Sequence, residues 1–261
     1  MGFEINLEGR TALVTGASSG LGARFARVLA QAGARVALAS RRIDRLKELR
    51  AVIEAEGGDA HVVPLDVTDI ASIRSAVAHT ETEAGPIDIL VNNSGVSATA
   101  RLHEVTPESY DFVMNTNTRG AFFVAQEVAK RMIARANGTA PGGVKSGRIV
   151  NIASVAGLRV VPQIGVYCMS KAAMIHMTRA MAVEWGRYGI NVNAICPGYI
   201  AMEINAMHWE TEAGRKLIEM LPRKRVGRPE DLDTTLMMLV AEESGFVNGA
   251  VVSIDDGLSS T

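Results

Sequence analysis

The chain has 261 residues, a hydrophobic fraction of 48% and a formal net charge of −1, enough apolar material to close the core of one large α/β domain. The near-balanced charge gives no basic footprint for nucleic acid or an anionic membrane surface, and no apolar run reaches the roughly 18 residues of a membrane span. Two cysteines, Cys168 and Cys196, and five scattered histidines have no ligand spacing, so neither a disulfide framework nor a metal site is expected.

The N-terminus lacks a basic-then-apolar leader, and Asn6 stands where a myristoylation signal starting at Met1-Gly2 needs Ser or Thr. A cytoplasmic protein is expected. Strand-length apolar runs near 11–16, 35–40, 60–65, 87–91, 148–153, 190–196 and 250–254 alternate with helix-length segments. Repeated β–α units of this kind predict a Rossmann-like doubly wound parallel sheet of about seven strands with helices on both faces, a single domain over 1–261. Right-handed crossovers then gather the strand C-terminal ends along one rim, where ligands bind.

The first strand runs into Thr15-Gly16-Ala17-Ser18-Ser19-Gly20-Leu21-Gly22 and then an amphipathic segment. Glycines in such a turn let the backbone approach a diphosphate, and free N–H groups at the helix N-terminus attract its charge. Ser18 and Ser19 add hydroxyl donors. The Gly-x-x-x-Gly-x-Gly spacing lacks the Gly-Lys-Ser/Thr ending of a nucleotide-hydrolysing P-loop, which argues against phosphoryl transfer. The second strand ends at Ser40, followed by Arg41 and Arg42; the third is followed by Asp66 and Val67. Asp66 is equally suited, with Thr68 and Asp69, to capping the next helix. The fourth strand leads into Asn92-Asn93-Ser94-Gly95, and a later helical stretch contains Asn117-Thr118-Arg119-Gly120. The segment 137–147, Gly-rich and containing Pro141, reads as a surface loop.

Ser154 ends the fifth apolar run, and thirteen positions later Tyr167 and Lys171 stand four residues apart, on one face of a helix. A phenol beside a fixed ammonium is acid/base chemistry: the positive charge favours the phenolate and draws the phenol's pKa down toward the working pH. The sixth strand ends at Pro197-Gly198. Beyond it, 200–221 carries Met202, Met207, His208, Trp209 and Met220, and on residue pattern alone it suits an amphipathic helix packed on the core.

Taken together, the glycine turn, the Asn-Asn-Ser-Gly element, Asn117, Ser154, Tyr167, Lys171 and Pro197-Gly198 resemble the short-chain dehydrogenase/reductase family over nearly the whole chain. The resemblance is to 3-oxoacyl-[acyl-carrier-protein] reductase-like and related NADPH-dependent carbonyl reductases. It implies an enzyme acting on CH–OH groups, moving hydride between a nicotinamide dinucleotide and a ketone or secondary alcohol. Tyr167 would be the general acid/base, and Ser154 would donate to the carbonyl oxygen. Lys171 would bond the nicotinamide ribose and lower the Tyr167 pKa, while Asn117 would hold a water linking Lys171 to solvent. Asn115 competes with Asn117 for that role, and Ser154 also suits a loop cap.

The cofactor contacts implied are Gly16, Ser18, Ser19, Gly20, Leu21, Gly22, Ser40, Arg41, Arg42, Asp66 to the adenine amine with Val67 nearby, Asn93, Ser94, Gly95, Tyr167, Lys171, Pro197, Gly198, Ile200 and Met202. The segment 200–221 would be a substrate-covering lid. Ser94 replaces the usual Ala, and Met202 stands where the family commonly has Thr; its thioether is a weak acceptor, so a looser cofactor grip or a lid held by packing is expected.

Which nicotinamide cofactor binds is a question of charge. With Ser40 in place of an acidic residue and two arginines next, a 2′-phosphate is favoured over a bare 2′-hydroxyl, predicting NADP(H) over NAD(H) with Arg41 the first candidate. The bland alternative is that both arginines cap a strand at a solvated surface. The substrate is left open between ketones and 3-oxoacyl thioesters of fatty-acid or polyester metabolism, with Lys130, Arg131, Arg179 and Arg187 available to an acidic carrier protein or simply solvated. A catalytically silent cofactor-binding regulator is the alternative of another class, opposed by the intact Ser154, Tyr167 and Lys171. Hydrolysis lacks a Gly-x-Ser-x-Gly elbow. Finally, 107–135 and 165–188 are apolar on more than one face, including Phe122, Phe123, Met174, Met177 and Trp185, which with the resemblance suggests a homotetramer.

Overall fold

The computed structural model describes residues 5–139 and 146–260. Seven strands form one parallel sheet: β1 (Thr11–Thr15), β2 (Arg35–Ser40), β3 (Asp59–Pro64), β4 (Ile87–Asn92), β5 (Gly147–Ile152), β6 (Ile190–Pro197) and β7 (Val251–Ile254), in the order β3-β2-β1-β4-β5-β6-β7. The order reverses between β1 and β4, so the helices that follow these two strands lie on opposite faces of the sheet, the arrangement that leaves a crevice at the strands' C-terminal edge. β1, β4, β5 and β6 are buried along their whole length, which explains their continuous apolar runs.

Helices cover both faces. On one, α1 (Gly20–Gln31), α2 (Ile43–Ala55) and α9 (Asp233–Val240) pack Phe25, Leu29, Leu46, Ile53 and Leu236 on the sheet. On the other, α3 (Ile70–Glu83), α5 (Ala121–Ala136) and α6 (Gly165–Trp185) supply Ile73, Val77, Val124, Val128 and Met181. The short α4 (Pro107–Met114) begins with Pro107 behind an N-cap, Thr106, whose hydroxyl accepts the Ser109 N–H at 3.2 Å. A π-turn over Asn115–Gly120 joins α4 to α5, a local widening that residue periodicity does not announce.

The expected strand limits hold within a residue or so. Of the loop expected over 137–147, residues 140–145, including Pro141, lie outside the described residues, as do Met1 and Gly2, and Gly147 already belongs to β5. The segment 200–221 is a 3-10 turn (Glu203–Asn205) followed by two short helices, α7 (Ala206–Glu210) and α8 (Glu212–Glu219), rather than one amphipathic helix. Among the described residues no helix is long and apolar enough to cross a membrane.

Candidate active site

The glycine turn leaves the end of β1 and is pressed against the loop after β4. Asn93 is the brace: its main-chain N–H donates to Thr15 Oγ1 at 3.0 Å and its Nδ2 to the Thr15 carbonyl at 3.0 Å, while Ser94 N–H shares the same Thr15 hydroxyl at 3.0 Å. Gly22 has no room for a side chain, since a Cβ there would come within 2.5 Å of Asn93 Nδ2 and closer still to the Gly16 carbonyl oxygen. Ser19 is the N-cap residue of α1, yet its hydroxyl does not cap the helix, and the first turn contains no acid. Uncapped N–H groups at the mouth of a twelve-residue helix, behind a turn with no Cβ at Gly16, Gly20 and Gly22, suit a dinucleotide diphosphate.

At the neighbouring corner, Arg42 folds over the turn. Its Nε donates to Ser18 Oγ at 3.0 Å and its Nη2 to Ser19 Oγ at 2.6 Å, and its own N–H is held by Ser40 Oγ at 3.1 Å. Arg41 instead stands 3.9 Å from Asp66, with most of its side chain in solvent. Arg42, not Arg41, therefore forms one cluster with the two turn hydroxyls. Asp66 does not cap α3; Asp69 does, accepting the Ala71 N–H at 2.9 Å. Asp66 accepts from the Thr68 N–H at 2.9 Å and the Thr68 hydroxyl at 2.7 Å. Burial works against its ionisation, but these bonds, with Arg41 nearby, leave its carboxyl below the usual range.

Beyond β5, Ser154 opens a 3-10 turn and accepts the Ala156 N–H at 3.1 Å, so it does cap its loop. Its hydroxyl is also a hydrogen-bonding neighbour of Tyr167. Lys171, one turn along α6 from Tyr167, is only 4% exposed; its Nζ donates to the Ile152 carbonyl at 2.8 Å and lies 5.6 Å from the centroid of the Tyr167 ring. The end of β5 thus meets the first two turns of α6, through Ser154 at Tyr167 and the Ile152 carbonyl at Lys171.

The electrostatics depart from expectation. Burial pushes the Tyr167 phenol above its ordinary value, only partly opposed by Ser154, with Cys168 and Cys196 adding to the rise. Burial also depresses Lys171 to about 8, against a smaller pull upward from Cys196. The reason is desolvation, which penalises both charged forms; the ammonium donates to the Ile152 carbonyl and makes no hydrogen bond to the phenol oxygen that would favour the phenolate. In the protein alone, a phenol that stays protonated at neutral pH is a proton donor by default.

Asn117 is fully buried and its side chain is taken up by Val96 and Ser170, while Asn115 sits on the same π-turn. Beyond Pro197-Gly198, Asn205 pins the chain: its Oδ1 accepts the Met202 N–H at 2.8 Å and Trp209 Nε1 at 3.1 Å, and its Nδ2 reaches the Ile200 carbonyl at 2.9 Å. Trp209 also packs edge-on against Tyr199 at 5.7 Å. Met202 rests on the glycine turn, its sulfur 3.0 Å from where a Gly20 Cβ would be. Met207 and Met220 point into solvent. The sequence marked Arg42 and Asn93 as cofactor contacts but not as the clasp and the brace of the glycine turn, and Asn205 as a pin went unread.

A glycine turn at a helix N-terminus and a Ser–Tyr–Lys group on one rim of a doubly wound sheet are the features of an NAD(P)-dependent oxidoreductase of CH–OH groups. The chain belongs to the short-chain dehydrogenase/reductase family: residues 16–259 match the family model described as enoyl-(acyl carrier protein) reductase. Gluconate 5-dehydrogenase of Gluconobacter oxydans is 38% identical over 255 residues, covering 97% of this chain and 96% of that protein. Sorbitol dehydrogenase of Cereibacter sphaeroides is 38% identical over 267 residues, with 97% and 98% covered. Among solved structures, a gluconate 5-dehydrogenase from Burkholderia cenocepacia in complex with NADP and tartrate superposes with a TM-score of 0.90 at 35% identity, covering 98% of this chain and 97% of that one.

Proposed function

We propose that this protein is an NADP(H)-dependent dehydrogenase that interconverts a secondary hydroxyl of a polyol or sugar acid with the corresponding ketone. The observation that carries the reading is the grouping of Tyr167 beside the Ser154 hydroxyl, with the buried Lys171 one helical turn away and its Nζ 5.6 Å from the centroid of the Tyr167 ring. When bound, the dinucleotide supplies or accepts the hydride. Gly16, Gly20, Leu21 and Gly22 would hold its diphosphate, and Ser18, Ser19, Ser40, Arg41 and above all Arg42 would hold a 2′-phosphate. Asp66 and Val67 would border the adenine, while Asn93, Ser94, Gly95, Pro197, Gly198, Ile200 and Met202 would border the nicotinamide end. The gluconate 5-dehydrogenase crystallised with NADP supports that cofactor.

In the reducing direction the Tyr167 hydroxyl gives its proton to the carbonyl oxygen, on which negative charge grows, and the Ser154 hydroxyl donates a hydrogen bond to the same atom. Lys171 keeps a positive charge behind the phenol. Asn117, through the π-turn it anchors, keeps Lys171 connected to solvent, and 200–221 closes over the substrate with Asn205 as its fixed point.

The named relatives direct the substrate toward hydroxyl-rich chains, and the basic residues offered to a carrier protein are partly neutralised: Lys130 lies 3.6 Å from Glu127 and Arg131 3.2 Å from Glu81. We also propose self-association through α5 and α6, which border a cavity of about 570 Å³ lined by Met114, Phe122, Met177, Met181 and Trp185. Met174 is fully internal and takes no part.

The test follows NADPH absorbance with polyols, aldonates, their keto forms and 3-oxoacyl thioesters, for the wild type and Tyr167→Phe. Turnover of a polyol or sugar acid, lost by about 10² or more in the variant while NADP(H) still binds, is the expected result. Turnover confined to acyl thioesters would replace the substrate class, and cofactor binding with no turnover would make the protein a regulator.

A further inference from the structure

Ser170 immediately precedes Lys171 and has no exposed surface. Its hydroxyl has one proton, which goes to the Tyr167 main-chain carbonyl at 2.7 Å. A lone pair is thereby left to accept, and it receives Asn117 Nδ2 at 3.0 Å. Nδ2 also donates to the Val96 carbonyl at 2.8 Å, and Asn117 Oδ1 accepts the Val96 N–H at 2.8 Å. These four hydrogen bonds run from the backbone of α6, through the π-turn, to the loop after β4. Only one orientation of the Asn117 amide satisfies them; turned over, its oxygen would face the Val96 carbonyl and the Ser170 lone pair.

The loop held in this way borders the reacting groups. Gly95 adjoins Val96, and a Cβ on Gly95 would lie 3.4 Å from both Lys171 Nζ and Asn117 Oδ1. The Tyr167–Lys171 turn and the loop after β4 face each other at Gly95, and the buried Ser170 hydroxyl joins the first to Asn117, which holds the second. A bond from the Thr118 hydroxyl to the Ser170 carbonyl, at 3.4 Å, is too long to replace it.

We propose that Ser170 is a positioning residue: acting through Asn117, it sets the spacing between the loop after β4 and the helix that bears Tyr167 and Lys171. The proposal rests on the dehydrogenase reading for its catalytic consequence, but the tie itself is a property of the protein alone. Removing the hydroxyl leaves one buried Asn117 N–H without its acceptor; the two bonds to Val96 keep the amide's orientation, but Asn117 and the Val96 loop lose their tie to α6 and can shift relative to it.

The experiment compares wild type with Ser170→Ala, Ser170→Cys and Ser170→Thr. Cysteine keeps the packing but is a poor hydrogen-bonding group; threonine keeps a hydroxyl that bonds back to its own helix. Amide exchange of residues 94–97, measured on the full chain without nucleotide, should accelerate about tenfold in the Ala and Cys variants and stay near the wild-type rate in Thr. With cofactor and substrate, kcat should fall about tenfold in Ala and Cys while the Michaelis constant for NADP(H) moves by less than about threefold, because misplacement of reacting groups costs rate more than binding. Unchanged exchange at 94–97, acceleration spread evenly over the whole chain, or wild-type kcat in both Ala and Cys would each overturn the proposal. A wild type that turns over no secondary alcohol or ketone refutes the dehydrogenase reading and the positioning role with it, whereas failure of the Ser170 proposal alone appears as active variants with wild-type kcat.

Discussion

Lys171→Met isolates the cost of burying the site's ammonium. The gap between the ordinary lysine value of 10.5 and about 8 corresponds to about 3 kcal/mol withheld from folding at neutral pH. The sign follows from proton counts. Between about pH 8 and 10.5 the unfolded chain holds a proton at this lysine that the folded chain has released, so the Lys171 contribution makes the fold more stable as pH rises through that window. Cys196 works the other way: burial lifts its thiol from 9.0 to about 11, so its contribution falls over an overlapping range. Tyr167 is raised as well. Both groups remain in the variant, so subtracting the two pH profiles removes most of their effect, along with the constant cost of the lost bond to the Ile152 carbonyl.

The measurement is urea unfolding of wild type and Lys171→Met, without nucleotide, at pH 7 and pH 10. Wild type should gain about 2 kcal/mol relative to the variant across that interval. A difference that stays flat to within about 0.5 kcal/mol would mean that the lysine titrates near its ordinary value in the fold, and that the Ile152 carbonyl and local polarity compensate its burial.

Arg42→Ala should raise the Michaelis constant for NADP(H) by about tenfold to a hundredfold, the worth of one or two charge-assisted hydrogen bonds, and leave that for NAD(H) nearly unchanged; Arg41→Ala, whose partner is Asp66, should do less, and the reverse ranking in steady-state kinetics would restore Arg41 as the principal phosphate ligand. Gly22→Ala drives a methyl into the Gly16 carbonyl and Asn93, so calorimetry should record a loss of about 1–3 kcal/mol together with loss of NADP(H) binding by fluorescence titration. Met202→Thr removes the thioether from the glycine turn and substitutes a hydroxyl; NADP(H) affinity should rise by a few-fold, and identical affinity and turnover would show that packing by Met202 is immaterial. Light scattering should report an oligomer, and a monomer at micromolar concentration would remove the self-association proposal.

Some of this protein could be read from local chemistry. Seven apolar runs of strand length, separated by helix-length segments, point to a parallel sheet, because strands buried on both faces, as β1, β4, β5 and β6 are, carry near-continuous apolar residues. Tyr167 and Lys171 lie within one turn of each other, so their pairing is a matter of helix geometry, and the glycine turn announces itself through residues that have no Cβ. Other features were not legible because they depend on contacts distant in sequence. The two arginines are adjacent in the chain, but Arg42 reaches Ser18 and Ser19, more than twenty positions back, while Arg41 turns to Asp66. Charge counting could place them at the corner but could not rank them.

The same division applies to the acid/base pair. Sequence alone determined that a phenol and an ammonium share a helical face beside a diphosphate-sized turn, since spacing and residue type suffice for that. The direction of their pKa shifts was decided by tertiary structure: the depth of burial is not encoded in the interval from Tyr167 to Lys171, and desolvation outweighs the simple attraction of opposite charges. Ser170 is the plainest case, an unremarked residue inside the motif, which becomes a junction only when the π-turn brings Asn117 against it.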